Sequence, residues 1–185
     1  MPTYIQKTTN SDITPSGNKF AKEMSAGTGT DTGVLVDLTS SQVISGFFFT
    51  PSGKPNSDSW ENGGTWTVEI EVDSVSPKID ARVRVQRYNS SGTLQESGNF
   101  TASQTLNGTV SFSPVAPTWS TQACGDRIGI EIEFTETQGK ANSVTIGLGT
   151  TANEVVTDIT EDAGTCGGTP SGPPADSAMM MGCGI

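Results

Sequence analysis

The stretch that decides the fold runs from Thr65 to Tyr88 and reads T-W-T-V-E-I-E-V, D-S-V-S-P-K and I-D-A-R-V-R-V-Q-R-Y. Apolar and polar residues alternate in its first and last parts. Because successive side chains of a strand point to opposite faces of a sheet, each part is typical of a strand with one buried face. The short polar segment between the two parts predicts an antiparallel hairpin.

The apolar face also predicts a register for this hairpin, with Val72 opposite Ile79. A slip by one residue would move the whole apolar face into water. In this register Glu69 lies opposite Arg82, and such opposite charges stabilise a strand pair by roughly 0.2–1 kcal/mol. We interpret the charged face as a solvated sheet surface with ion pairs, or alternatively as a contact surface for another subunit.

A second alternating run extends from Arg127 to Thr135. It predicts a strand with isoleucines and a phenylalanine inward and glutamates outward: Ile128, Ile130, Ile132 and Phe134 against Glu131 and Glu133. The chain is rich in Val, Ile, Thr, Ser and Gly, and long helix-forming runs are missing, which is an all-β composition. About eight or nine short strands separated by turn signals predict an antiparallel β-sandwich, with a jelly roll favoured over an immunoglobulin-like arrangement.

We divide the chain into three parts: an N-terminal arm over residues 1–30, a β-sandwich domain over 31–160 and a flexible tail over 161–185. The first part is polar and irregular, with few bulky apolar anchors: Tyr4, Ile5, Ile13 and Phe20. The tail is dominated by Gly and Pro and then becomes apolar, which is typical of a linker that carries an apolar end.

Two apolar segments are candidates for contacts with other chains. The phenylalanine triplet of one strand is either buried on both faces or meets another subunit. The apolar end of the tail either folds back on its own domain or docks on a neighbour, a role that adaptable Met side chains suit. The candidate interface residues are Phe47, Phe48, Phe49, Met179, Met180, Met181 and Ile185.

The net charge of −10, with only ten Lys and Arg residues, disfavours a nucleic-acid or anionic membrane partner, since both require a basic surface. Apolar runs are too short to span a membrane, and the first residues do not resemble a signal peptide. We therefore expect synthesis in a cytosol.

The reactive residue types argue against an enzyme. Histidine is absent, so the sequence contains neither a Ser-His-Asp triad nor a Cys-His pair, and a zinc site lacks ligands. A glycosidase that uses two carboxylates stays formally open. Of the three cysteines, Cys124 lies in the body, while Cys166 and Cys183 could close a loop in the tail, although free thiols are favoured. We predict no cofactor, metal or catalytic residue.

Exposed aromatic residues on loops would allow carbohydrate binding. Trp60, Trp119 and Tyr88 are the candidates, although core or rim positions are the more frequent role of such residues. Trp66, by contrast, is in phase with the apolar face of its strand and is predicted in the core.

Four segments together resemble the β-sandwich domains of tailed-phage virion proteins, over about residues 35–158: W-T-V-E-I-E-V, R-V-R-V-Q-R-Y-N-S-S-G-T, C-G-D-R-I-G-I-E-I-E-F and S-V-T-I-G-L-G-T. The resemblance lies in the general character of these segments and in their order along the chain, and it does not rest on a signature motif. It implies a bacteriophage capsid decoration (cement) protein located in the virion, which is made in the host cytoplasm and contacts the major capsid protein. It further implies a homo-oligomer, with a trimer favoured. The alternative is a carbohydrate-binding or adhesion module of a virion surface or fibre protein.

Overall fold

A computed structural model describes residues 3–27, 33–55, 60, 63–72, 78–120, 122–149, 153–157 and 159. Within them the protein is all-β, as predicted, and no helix long and apolar enough to cross a membrane occurs there. The strands are β1 (Thr3–Asn10), β2 (Asn18–Ser25), β3 (Val34–Leu38), β4 (Val43–Phe49), β5 (Thr67–Glu71), β6 (Ile79–Tyr88), β7 (Leu94–Ser97), β8 (Gln104–Thr105), β9 (Thr109–Phe112), β10 (Arg127–Glu136), β11 (Asn142–Ile146) and β12 (Glu154–Val156).

Ten of these strands form one curled sheet in the order β7-β6-β10-β4-β2-β1-β12-β5-β9, with β8 added beside β6. Strands β3 and β11 form a separate antiparallel pair, and a bridge from Val72 to Ile146 links that pair to the end of β5. The sheet is mixed, because β2 runs parallel to β4. The prediction of a purely antiparallel arrangement is therefore wrong, and the jelly-roll connection stays a prediction.

The predicted hairpin between β5 and β6 is not formed. Strand β5 pairs with β12 and β9, whereas β6 pairs with β10, β7 and β8. Glu69 accordingly lies opposite Ser111 rather than opposite Arg82. Alternation determines which face of a strand is buried, but several strands with the same alternation compete as partners. The prediction of the buried face is confirmed, since Trp66, Val68, Ile79 and Val83 are completely buried.

Strand β10 lies between β6 and β4, and it carries the second alternating run of the sequence. Its four predicted inward residues, from Ile128 to Phe134, are completely buried in the main core. Their burial is the main favourable contribution of this strand, at roughly 1.5–3 kcal/mol for each large apolar side chain.

The opposite face of β6 and β10 carries ion pairs between directly opposed residues. Arg84 bonds Glu131 and Arg82 bonds Glu133, with N–O distances of 2.6 and 2.7 Å. The ring of Phe100 lies 4.3–4.4 Å from both guanidinium carbons. Phe100 reaches them because the segment between β7 and β8 follows β6, with Thr101 N–H donating to the Val83 carbonyl. The ion pairs between the two strands and the contact of the Phe100 ring with both arginines thus stabilise the pairing of β6 with β10.

The N-terminal residues do not form an arm. Strands β1 and β2 lie inside the sheet, between β4 and β12, and Tyr4, Phe20 and Met24 are buried in the main core. The position of β1 inside the sheet could not be predicted from alternation, because β1 buries three adjacent residues instead of alternate ones. Residues 161–185, the predicted tail, lie outside the described residues.

Cys124 is disulfide-bonded. The expectation of free thiols is therefore wrong at this position. The sequence gives no distances between cysteines, so the composition of the chain could not identify a bonded pair.

The register of β6 and β10 can be tested by a double-mutant cycle on Arg84→Met and Glu131→Gln. Because this pair is partly buried and bonded directly, we expect a favourable coupling of about 1 kcal/mol in the free energy of unfolding by denaturant. The control cycle is Arg82→Met with Glu69→Gln, the pair of the unformed hairpin, and we expect a coupling near zero. The reverse result would support the hairpin.

The parallel pair β2–β4 can be tested at Gly46. The ring of Phe20 lies directly against this glycine, so a Cβ there would meet the ring. We expect Gly46→Ala to destabilise the protein by about 1–3 kcal/mol through overpacking. Adding Phe20→Leu should recover part of this loss, because the smaller side chain makes room. Strictly additive effects of the two substitutions would contradict the contact.

Candidate binding cleft

The predicted interface phenylalanines lie in the interior. Phe48 is in the main core, while Phe47 and Phe49 join a second cluster with Ile13 and Tyr88. The triplet is thus buried on both faces of β4, which is one of the two predicted alternatives. The other candidate interface residues, Met179, Met180, Met181 and Ile185, lie outside the described residues.

The three aromatic residues proposed for glycan contact are also buried, each with 4% of its surface exposed. Trp60 and Trp119 pack edge to face at 5.1 Å between ring centroids, and Trp119 also contacts Trp66. A platform for sugar stacking needs an exposed ring face, and Trp60 and Trp119 do not present one. Tyr88 is equally buried, although it lines a cleft.

This cleft has a volume of about 530 Å³ and lies on the outward face of β6 and β10. The segment Asp12–Ser16 forms one side, and the turn Ser90–Gly92 with Leu94 forms another. Ligand sites in proteins commonly have volumes of about 300–1,000 Å³. The cleft is therefore large enough for a small molecule.

The register of β6 on β10 explains which side chains face the cleft. Arg84 lies opposite Glu131, Gln86 opposite Gly129, and Tyr88 opposite Arg127. Gly129 matters because a Cβ at this position would lie 2.7 Å from Cε2 of Tyr88. The missing side chain lets the Tyr88 ring approach β10 closely and pack edge to face on Phe49, at 4.9 Å between centroids.

Hydrogen bonds hold the polar part of the cleft in place. Oε2 of Glu131 accepts bonds from Arg84 and from Nε2 of Gln86 at 2.6 and 2.9 Å, and Oε1 accepts one from the hydroxyl of Ser45. The Tyr88 hydroxyl donates to Oε1 of Gln86 at 2.8 Å. These side chains form a connected network that fixes the position of each.

Arg127 is the charged group at the other end of the cleft. Its Nη1 donates to Oδ1 of Asp12 at 2.6 Å and its Nε donates to the Thr50 carbonyl at 2.7 Å. Burial works to raise the pKa of Asp12, but the hydrogen bond and positive charge of Arg127 outweigh it and lower that pKa below its ordinary value. Nη2 of Arg127 is buried without a hydrogen-bond partner in the described structure.

The charged side chains of the cleft pair with one another. Asp12 and Glu131, the carboxylates of the cleft, are each bonded to an arginine. Within the described residues, no group of three or more Cys, Asp or Glu side chains could hold a metal ion. The groups left for chemistry are hydrogen-bond donors, hydroxyls and apolar walls.

Sequence reasoning named Tyr88 as a candidate for glycan contact, but it did not bring Arg127, Glu131 and Asp12 together with it. The alternation of β6 and β10 did place Arg84, Tyr88 and Glu131 on outward faces. It contained no signal that Asp12–Ser16 packs beside them, because that contact spans more than a hundred residues of sequence.

Comparisons with known proteins do not assign a family. No protein-family model matches the chain, and no curated protein matches it. Among solved structures, a CocE/NonD family hydrolase from Staphylococcus aureus is 9% identical with a TM-score of 0.44, covering 85% of this chain and 36% of that one. A chain from the structure of infectious bursal disease virus, Gx strain, is 12% identical with a TM-score of 0.35, covering 78% of this chain and 39% of that one.

The TM-scores of both structures are below 0.5, so these likenesses carry no conclusion about function. Within the described residues, fold and site together define an all-β protein with a curled mixed sheet and a cleft on the outward face of β6 and β10.

The environment of Tyr88 predicts a dependence of stability on alkaline pH. Burial, aided by the charge of Glu131 and opposed by Arg84, raises the pKa of Tyr88 to about 12 from its ordinary 10.0. The folded protein therefore keeps the phenol proton to higher pH than the unfolded chain. This contribution to stability is complete below about pH 10 and is lost as the pH rises towards 12.

We expect the free energy of unfolding to fall more steeply between about pH 10 and 12 in the parent protein than in Tyr88→Phe. Denaturant titrations at several alkaline pH values measure this difference. Tyr4 is present in both proteins and serves as an internal control. Parallel pH profiles of the two proteins would contradict the predicted pKa.

Proposed function

We propose that the chain is a non-enzymatic virion structural protein of the bacteriophage capsid decoration type. In this proposal it stabilises the particle through contacts with the major capsid protein and with copies of itself, with a trimer favoured. It is made in the host cytoplasm and is located in the virion.

The observation that carries the proposal is the apolar run Met179–Ile185, which a Gly- and Pro-rich stretch joins to the β body. The strands of that body pack their own inward side chains against one another in the main core. An apolar end on a Gly- and Pro-rich connection is suited to docking on a neighbouring subunit, where tethering raises the effective concentration of the contact.

Features of the body support the same proposal. Large aliphatic side chains stay about half exposed on regular strands, with Leu35 and Val43 each 54% exposed. The parts of the body are tied by pairings between distant segments, such as β1 with β12, which favours a rigid unit. Integration of β1 and β2 into the sheet leaves the C-terminal segment as the candidate arm.

The alternative is a carbohydrate-binding or adhesion module of a virion surface or fibre protein. Burial of Trp60 and Trp119 removes two of the three residues first proposed for it. The cleft beside Tyr88 is the observation that keeps this alternative, at a different place from the predicted aromatic platform.

The tail proposal is tested by replacing Met179, Met180 and Met181 with Asp in the full-length chain. We expect weaker co-sedimentation with particles and a lower temperature of particle disruption, because charges disfavour burial of this segment in an interface. Circular dichroism should show an unchanged β body.

Two controls sharpen this test. Replacing Thr165, Thr169 and Ser171 with Asp adds the same charge within the Gly- and Pro-rich stretch and should leave binding intact. Deletion of residues 161–185 should cause the same loss of particle binding. Because this deletion also removes Cys166 and Cys183, the variant Cys124→Ser measures separately how loss of the disulfide affects binding. Normal particle binding by the Met-to-Asp variant would refute the docking role.

A further inference from the structure

The loop that carries Cys124 (residues 123–126) is tied at both of its ends by hydrogen bonds. The Ala123 N–H donates to Oδ2 of Asp126 at 3.0 Å, and the Asp126 N–H donates to the Ala123 carbonyl at 2.9 Å. Gly125 has a φ of 95°, which permits this tight turn. The loop therefore presents Cys124 at a defined place, as a disulfide requires, because the Cα atoms of bonded cysteines must lie about 4.4–6.8 Å apart.

The neighbouring strands hold this loop on the body. Arg87 of β6 bonds Asp126 through Nη1, and its Nε donates to Glu96 of β7 at 3.0 Å. Glu96 in turn accepts the Ser120 N–H at 2.8 Å. The side chains of Arg87 and Asp126 are only 6% and 4% exposed, so salt screens this ion pair little. Cys124 is thus anchored at the end of the sheet that β7 forms.

Cys124 is disulfide-bonded, and the sequence contains two other cysteines, Cys166 and Cys183. Both follow Ile159, which is completely buried in the main core and so fixes the chain at that point. Cys166 lies seven residues after Ile159, and Cys183 lies twenty-four residues after it. Effective concentration falls roughly as the −3/2 power of tether length, which favours Cys166 by roughly sixfold. Seven residues span at most about 25 Å, more than the radius of gyration of about 16 Å expected for this chain length.

The loop also lies beside a surface that a segment held there would reach first. A Cβ at Gly125 would lie 3.4 Å from Cβ of Ser90, so the loop packs on the turn between β6 and β7. Leu94, at the start of β7, is 47% exposed. Among the described strands, β7 pairs with β6 alone, which leaves its other edge open. An exposed leucine and an open strand edge both suit contact with another chain.

We infer that Cys124 and Cys166 form a disulfide that anchors the C-terminal segment (residues 167–185) at this end of the sheet, and that the redox state of the surroundings controls the anchor. A reducing cytosol keeps thiols free, whereas an oxidising medium outside the cell allows the bond to form. The part of this inference that concerns assembly rests on the proposed decoration role, and the pairing of the two cysteines does not.

The bond forms by thiol–disulfide exchange with a small disulfide such as oxidised glutathione. The thiolate of one cysteine attacks a sulfur of the reagent and releases one glutathione thiolate. The thiolate of the other cysteine then attacks the mixed disulfide and releases the second. Two protein thiols are thus oxidised to one disulfide, the reagent is reduced to two glutathione thiols, and two protons pass from the cysteines to the leaving thiolates.

Peptide mapping of the full-length protein, oxidised with glutathione disulfide and with its free thiols blocked, tests the pairing. Trypsin and a protease that cleaves before aspartate place each cysteine in a separate peptide: Cys124 in residues 88–125, Cys166 in 162–175 and Cys183 in 176–185. We expect unreduced mass spectra to show the first peptide joined to the second, and a non-reducing gel to show a monomer. A bond to the third peptide, or a bond between two chains, would overturn the pairing.

Single variants test the redox control. In the oxidised protein, Cys166→Ser should leave Cys124 open to a thiol-alkylating reagent, whereas the matched control Cys183→Ser should leave Cys124 protected. In intact producing cells quenched with acid, we expect alkylation of Cys124 in the parent and in both variants. A Cys124 that is already bonded inside the cells would overturn the redox control.

The stability of particles tests the anchor. We expect dithiothreitol to lower the temperature of particle disruption by several degrees for the parent and for Cys183→Ser, and to cause no further change for Cys166→Ser. Particle binding that does not respond to reduction would overturn the anchor and leave the decoration role intact. Absence of particle binding by every variant would refute the decoration role together with the assembly part of this inference, and the peptide map would still decide the pairing.

Discussion

The structure depends on the pairing of β10 with β6 on one side and β4 on the other. Both registers are continuous, from Arg127 with Tyr88 to Glu136 with Ile79, and from Gly129 with Phe49 to Thr135 with Val43. One face of this three-stranded unit supplies isoleucines and phenylalanine to the main core. The other face places Glu131 between the arginine of β6 and the serine of β4. The same register therefore determines the core and the polar cleft.

The face of a strand could be predicted from the sequence, but its partner could not. The alternations in β5, β6 and β10 placed Trp66, Val83 and Ile132 correctly in the core, because a period of two is a local property. Pairing is a long-range property, and β5 and β6 are close in sequence yet bond to different neighbours. Charge matching could not decide the partner, since Glu69 and Glu71 have the same two-residue spacing as Glu131 and Glu133, the residues that actually bond Arg84 and Arg82.

The N-terminal strands show a second limit of local reasoning. Parallel neighbours such as β2 and β4 need a long connection, so no turn signal between them indicates that they pair. Phe20 could be recognised as an apolar anchor but not as the residue that covers Gly46. The complementarity of a large ring and a missing side chain emerges only when both strands are in place. The same applies to Gly129 and the ring of Tyr88, which packs on it and lines the cleft.

At the cleft, the stability of the sheet is opposed by the free-energy cost of burying the charge of Arg127. Arg127 begins β10 on its outward face, where a solvated arginine would be usual, yet Asp12 and the Thr50 carbonyl enclose it. Enclosure is tolerable for the bonded nitrogens, but it leaves Nη2 without a hydrogen-bond partner among the described residues. A residue needed only for packing would be less costly as an apolar side chain of similar volume. In this position the charged fork joins β10 to the segment after β1 and to the residue after β4, a connection that an apolar side chain could not make.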